Sequence, residues 1–75
     1  MRRVGSVVRV AQGLAIVRAP DAEYADVGTD IVDDQLRTVG SVVDVFGPVE
    51  KPYMAVSPGS NVHLPGLVGS ALYAR

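Results

Sequence analysis

Glycine and proline punctuate this chain at short intervals, and valine fills the segments between them. That spacing leaves little room for a helix of ordinary length, because both residues disfavour helix interiors. Valine is β-branched and suits a pleated, half-buried surface. The chain therefore reads as all-β. Strands are expected over residues 3–11, 14–18, 31–32, 37–46, 53–56 and 67–73. Gln12-Gly13 forms the first turn, Asp33-Asp34-Gln35 a second, and residues 47–52 a third. Residues 20–30, PDAEYADVGTD, read as a polar, acidic loop, and residues 57–65, SPGSNVHLP, as another. Six short strands favour a small barrel, since an open sheet of this size would leave two unprotected edges.

Nearly the same string occurs twice, VGSVVRV at 4–10 and VGSVVDV at 39–45, with a third fragment, VGSALY, opening at Val68. The expectation is that Gly5, Gly40 and Gly69 occupy the same place in three strands and mark coiling points that help the sheet close. In the middle copy, Val39, Ser41, Val43 and Val45 alternate with Gly40, Val42, Asp44 and Phe46, so both faces carry apolar groups. Either a bulge shifts the phase or a partner covers the second face.

The chain has 75 residues, enough for one domain spanning 1–75. A chain this short is marginally stable and leans on a staple. It has no cysteine and one histidine, His63, which argues against a disulfide or a structural zinc site. A partner protein is the staple that remains. The apolar runs are too short to span a bilayer, and polar residues interrupt the segment after Arg2 and Arg3, so no membrane span or signal peptide is expected and the chain reads as cytoplasmic.

The formal net charge is −1, and the basic residues Arg2, Arg3, Arg9, Arg18, Arg37, Lys51 and Arg75 are scattered. That argues against a domain gripping nucleic acid on its own. Asp33 and Asp34 read as turn carboxylates. Ser57, Ser60 and His63 lack the marks of a nucleophile with an oriented base. No phosphate-binding glycine loop is present. The chain is expected not to be an enzyme and to need no cofactor. Phe46 is flanked by Val45 and Gly47 rather than by the basic residues of a stacking platform, and Phe46 and Tyr73 read as core aromatics.

The middle copy alone continues into FGPVEKPY, residues 46–53. Pro48 and Pro52 fix their φ angles, and the residues before them favour extended backbone. Such a stiff turn loses little entropy on docking. It can equally be only a hairpin connection.

Residues 38–58, TVGSVVDVFGPVEKPYMAVSP, resemble the signature of the glycine/arginine-rich subunit of box H/ACA ribonucleoproteins. Gly40, Val42, Val45, Phe46, Gly47, Pro48, Val49 and Tyr53 match its G-x-V-x-x-V/I-F-G-P-V/I segment and following aromatic in order. RRVGSVVRVAQGLAIVRA and VGSALYAR are similar to the opening hairpin and closing strand of archaeal members. The arginine-glycine tails of eukaryotic members do not occur in this sequence. The resemblance implies a six-stranded β-barrel similar to those of translation factors. It implies a noncatalytic subunit that binds a dyskerin-type pseudouridine synthase, meets guide and substrate RNA mainly through the complex, and promotes substrate placement and product release in rRNA processing. Val45, Phe46, Gly47, Pro48, Pro52 and Tyr53 are the expected partner surface, with Phe46 alternatively in the core. The competing expectation is an autonomous single-strand RNA-binding barrel.

Overall fold

The computed structural model describes residues 2–75. Six strands form a closed antiparallel barrel: β1 (Arg2–Ala11), β2 (Leu14–Arg18), β3 (Asp30–Val32), β4 (Thr38–Phe46), β5 (Tyr53–Pro58) and β6 (Ala71–Ala74). Around the barrel the order is β1-β2-β5-β4-β3-β6. Ile31 opposite Ala74 and Val32 opposite Tyr73 close it. Val7, Val17, Ile31, Val42, Met54, Val56 and Leu72 fill the interior.

The two VGSVV copies are one device used twice. In β1 against β2, Ser6, Val7, Arg9, Val10 and Ala11 face Arg18, Val17, Ile16, Ala15 and Leu14. In β4 against β5, Ser41, Val42, Asp44, Val45 and Phe46 face Ser57, Val56, Ala55, Met54 and Tyr53 in the same sequence of pairs. The register slips after Val7 in one and after Val42 in the other, so Val8 and Val43 are equivalent bulge residues. A second slip brackets Val4 in β1, against β6, and Val39 in β4, against β3. The inward residues are therefore Val4, Val7 and Val10 in one copy and Val39, Val42 and Val45 in the other, a spacing of three rather than two. The bulge accounts for the apolar residues on both apparent faces of the middle copy.

Gly5 and Gly40 do sit alike. A Cβ on either would run into a backbone carbonyl of the neighbouring strand, that of Arg18 or of Ser57. Gly69 does not join them, contrary to the expectation. It precedes β6, which begins at Ala71 rather than at residue 67, because Leu64–Leu67 form a 3-10 turn. Gly69 donates its N–H to the Val7 carbonyl, and Val7 donates its own to Ser70. Gly28 and Thr29 make the same pair of bonds with Val42. The structural counterpart of VGSALY is thus VGTDIV, residues 27–32, which the sequence disguises as the end of an acidic loop.

That loop is also less solvated than its composition suggests. Ala19 and Ala25 are buried in the core, and the Ala25 N–H points at Met54 Sδ, 3.4 Å away. Residues 19–29 close one end of the barrel. Val62, Leu64 and Leu67, packed on the core from the 57–70 segment, close the other.

The β3–β4 connection is organised by Asp33, as expected of a turn carboxylate. Its Oδ1 accepts the N–H groups of Gln35 and Arg37, each at 2.9 Å, and its Oδ2 accepts Arg37 Nε at 2.9 Å. Desolvation pushes the carboxyl pKa up, but those backbone bonds and the Arg37 guanidinium outweigh it and hold the group below the usual aspartate value. His63 is exposed and makes no capping bond from its side chain. Among the described residues, no group of three or more metal-ligating side chains gathers, and no helix is long and apolar enough to cross a membrane.

Candidate partner-binding site

The internal two-fold relation breaks at one place. The first hairpin turns in two residues, Gln12 and Gly13, both with positive φ (53° and 76°), the geometry that suits a tight right-twisted hairpin. The second hairpin, between the equivalent pairs, takes residues 47–52 to turn. The four extra residues are those that set FGPVEKPY apart.

Phe46 and Tyr53 face each other across the base of this longer tip. Their rings stack with centroids 5.6 Å apart and planes 18° from parallel. Tyr53 also pairs with Arg18 on β2, whose guanidinium carbon lies 5.0 Å from the ring centroid and whose Nη1 donates to Tyr53 Oη at 2.9 Å. Arg18, Tyr53 and Phe46 thus form one row on the outside of the barrel. Phe46 is 38% exposed, so it is not the core residue that its sequence neighbours suggested. The basic neighbour missing from its sequence arrives through the sheet, as Arg18 beside Tyr53.

Gly47 is fixed by this stack. Its φ is +90°, and a Cβ there would lie 2.8 Å from Tyr53 Cδ2. Pro48 is exposed, and Val49 at the tip is 83% exposed. Pro52 is buried, and its carbonyl accepts the Ala19 N–H at 2.9 Å, which ties the hairpin to the 19–29 segment. Val45 is half-buried and packs on the core. Of the six expected surface residues, Phe46, Gly47 and Pro48 are presented outward, Tyr53 is half-buried in the row, and Val45 and Pro52 hold the hairpin from within.

The hairpin and the 19–29 segment enclose a shallow cleft of about 260 Å³, into which Phe46, Pro48 and Val49 face opposite Ala22 and Tyr24. Sequence reasoning missed Arg18, Ala22 and Tyr24 as site residues. Arg18 is 35 positions from Tyr53, and only the strand register brings the two together.

No curated protein matches the chain. The family described as the Gar1/Naf1 RNA binding region matches residues 1–75, the whole chain. The chain therefore belongs to the Gar1/Naf1 RNA binding region family, in agreement with the H/ACA-type motif carried by β4 and its hairpin.

Proposed function

We propose that this chain is the noncatalytic subunit of an archaeal-type, cytoplasmic H/ACA guide ribonucleoprotein. It docks on the dyskerin-type pseudouridine synthase through the 47–52 hairpin and promotes substrate placement and product release. The observation that carries the reading is the broken internal symmetry. Two residues suffice to turn a hairpin of this register, as the first one shows, so the outward part of the proline-clamped extension, Pro48 and Val49 beside Phe46, exceeds what closing the strand pair requires. Apolar groups held on a rigid tip lose little entropy on burial and make an efficient docking element. The carboxylates Asp21, Glu23 and Asp26 are exposed beside the cleft, and the chain's net charge is −1, so RNA is met chiefly through the complex.

Co-purification with the synthase tests this. Wild type is expected to be retained, and the Pro48→Asp/Tyr53→Ala variant to be lost while its circular dichroism remains that of the barrel. Retention of a folded double variant would overturn the hairpin assignment. Loss of the subunit is expected to slow multiple turnover more than single-round modification; equal slowing would remove the product-release role.

A second reading has its own observation. The Arg18–Tyr53–Phe46 row is an aromatic platform with a cation, the arrangement on which unpaired bases stack. Salt-dependent, submicromolar binding of guide RNA by the isolated chain would favour that reading over the docking one.

A further inference from the structure

The two copies of the repeat differ in charge at one position: Arg9 stands where its counterpart is Asp44. These residues mark the ends of a row that crosses four strands on the outside of the barrel, Arg9–Ile16–Ala55–Asp44. Ile16 and Ala55 are only 5% and 3% exposed, yet neither belongs to the core cluster, because they lie on the other side of the sheet. The bulge residues Val8 and Val43 flank them, 44% and 46% exposed. The row has an apolar middle, a guanidinium at one end and a carboxylate at the other. Asp44 Oδ1 accepts the Val45 N–H, leaving Oδ2 available.

We propose that this face is self-complementary and that its occupant is a second copy of the chain. Two such faces can meet about a two-fold axis that lies between them and parallel to the strands. Arg9 of each copy then stands over Asp44 of the other and Val8 of each over Val43 of the other, while Ile16 and Ala55, already covered within each copy, lie beneath the contact. A two-fold axis across the strands would instead set Arg9 against Arg9 and Asp44 against Asp44, so the charges select one orientation. The next row, Arg18–Tyr53–Phe46, continues this face. A seated second copy therefore shields the Phe46–Tyr53 pair, and only the consequence that it would compete with the synthase rests on the docking reading. Four strands about 4.8 Å apart and about five residues long give a face of roughly 300 Å². Two such faces bury less than the roughly 1,200 Å² typical of stable dimers, so association is weak and concentration-dependent.

Sedimentation velocity of the isolated chain, from about 10 µM to about 1 mM, reads this directly. Wild type is expected to shift toward the dimer with concentration. Arg9→Asp and Asp44→Arg are each expected to weaken the dimer at least about tenfold, and the double swap Arg9→Asp/Asp44→Arg to restore it. Asp44→Asn keeps an oxygen for the Val45 N–H and removes only the charge, so it tests the pairing where the swap fails to fold. It is expected to weaken association by a few fold to about tenfold, as the loss of two exposed ion pairs, one from each copy's Asp44, would. Wild type that stays monomeric throughout, Asp44→Asn indistinguishable from wild type, or a folded double swap that stays monomeric would each overturn the proposal. None of these readouts involves the synthase, so they succeed or fail independently of the docking reading.

Discussion

Gly40 stands so close to the Ser57 carbonyl that no side chain fits between them, and Gly5 stands in the same relation to the Arg18 carbonyl. The strand backbones cross at these two points, and each long strand turns there from one set of neighbours to the other. Gly40→Ala is therefore expected to cost on the order of 3 kcal/mol, the upper end of ordinary point substitutions, because the obstacle is backbone that cannot rotate away. Gly59→Ala is the control: its nearest neighbour, the Val39 carbonyl, would lie at an ordinary 3.7 Å, and its φ is not in the left-handed region. It is expected to stay within about 0.5 kcal/mol of wild type. Urea unfolding followed by circular dichroism measures both.

Replacing residues 47–52 with Asn-Gly would give the second hairpin the turn of the first. Asn-Gly suits the positive φ angles of such a turn. The barrel is expected to fold with its β4–β5 register intact and its midpoint lowered by roughly 5–10 °C, because buried Pro52 and its tie to Ala19 are lost, while synthase binding is lost. Amide NMR reports the register, and a pull-down reports the binding. A collapsed spectrum would show that the long tip is needed for folding.

Tyr53→Phe removes the hydroxyl that accepts from Arg18 but leaves the stack on Phe46. The bond is exposed, so the expected loss of stability is about 0.5 kcal/mol. Tyr53→Ala removes the stack as well and is expected to cost about 2 kcal/mol more, read in the same unfolding experiment.

The carboxyl of Asp33 is held below its reference pKa of 3.8. A depressed carboxylate pKa stabilises the fold above the unfolded-state value, and that stability is lost as pH falls through the folded-state value. The β3–β4 turn is thus expected to contribute fully above about pH 4 and to weaken only in stronger acid. A carboxyl titration by NMR should place Asp33 below 3.8. Asp33→Asn should remove that part of the acid dependence.

Ala25 is fully buried against Met54 at one barrel end. Ala25→Leu is expected to overpack this seal and cost about 1–3 kcal/mol by urea unfolding.

Much of the fold was legible because its signals are local. Leu14–Arg18 is a strand bounded by Gly13 on one side and Pro20 on the other, and it falls where the spacing of turn residues puts it. The hairpin tip announces itself by two prolines. What the sequence concealed depends on register. Two bulges turn the inward spacing from two to three, so strict alternation makes Val8 and Val43 look like core residues when they are exposed. The third VGS string looks like the first two by letters, yet its hydrogen bonds make it the partner of VGTDIV. The candidate site was half legible for the same reason. Phe46, Gly47 and Pro48 are contiguous and were found, whereas Arg18 and Tyr24 come from elsewhere in the chain and reach the site only through the folded sheet.

The short turn at Gln12 and Gly13 has a use that follows from its being plain. It sits at the opposite pole of the barrel from the elaborated tip, on a scaffold whose two hairpins share one register. Grafting a copy of residues 47–52 in place of residues 12–13 would give one small molecule two copies of the proposed docking tip, pointing apart. Such a molecule could bridge two synthases, and its avidity would depend on the span between the tips rather than on any new contact.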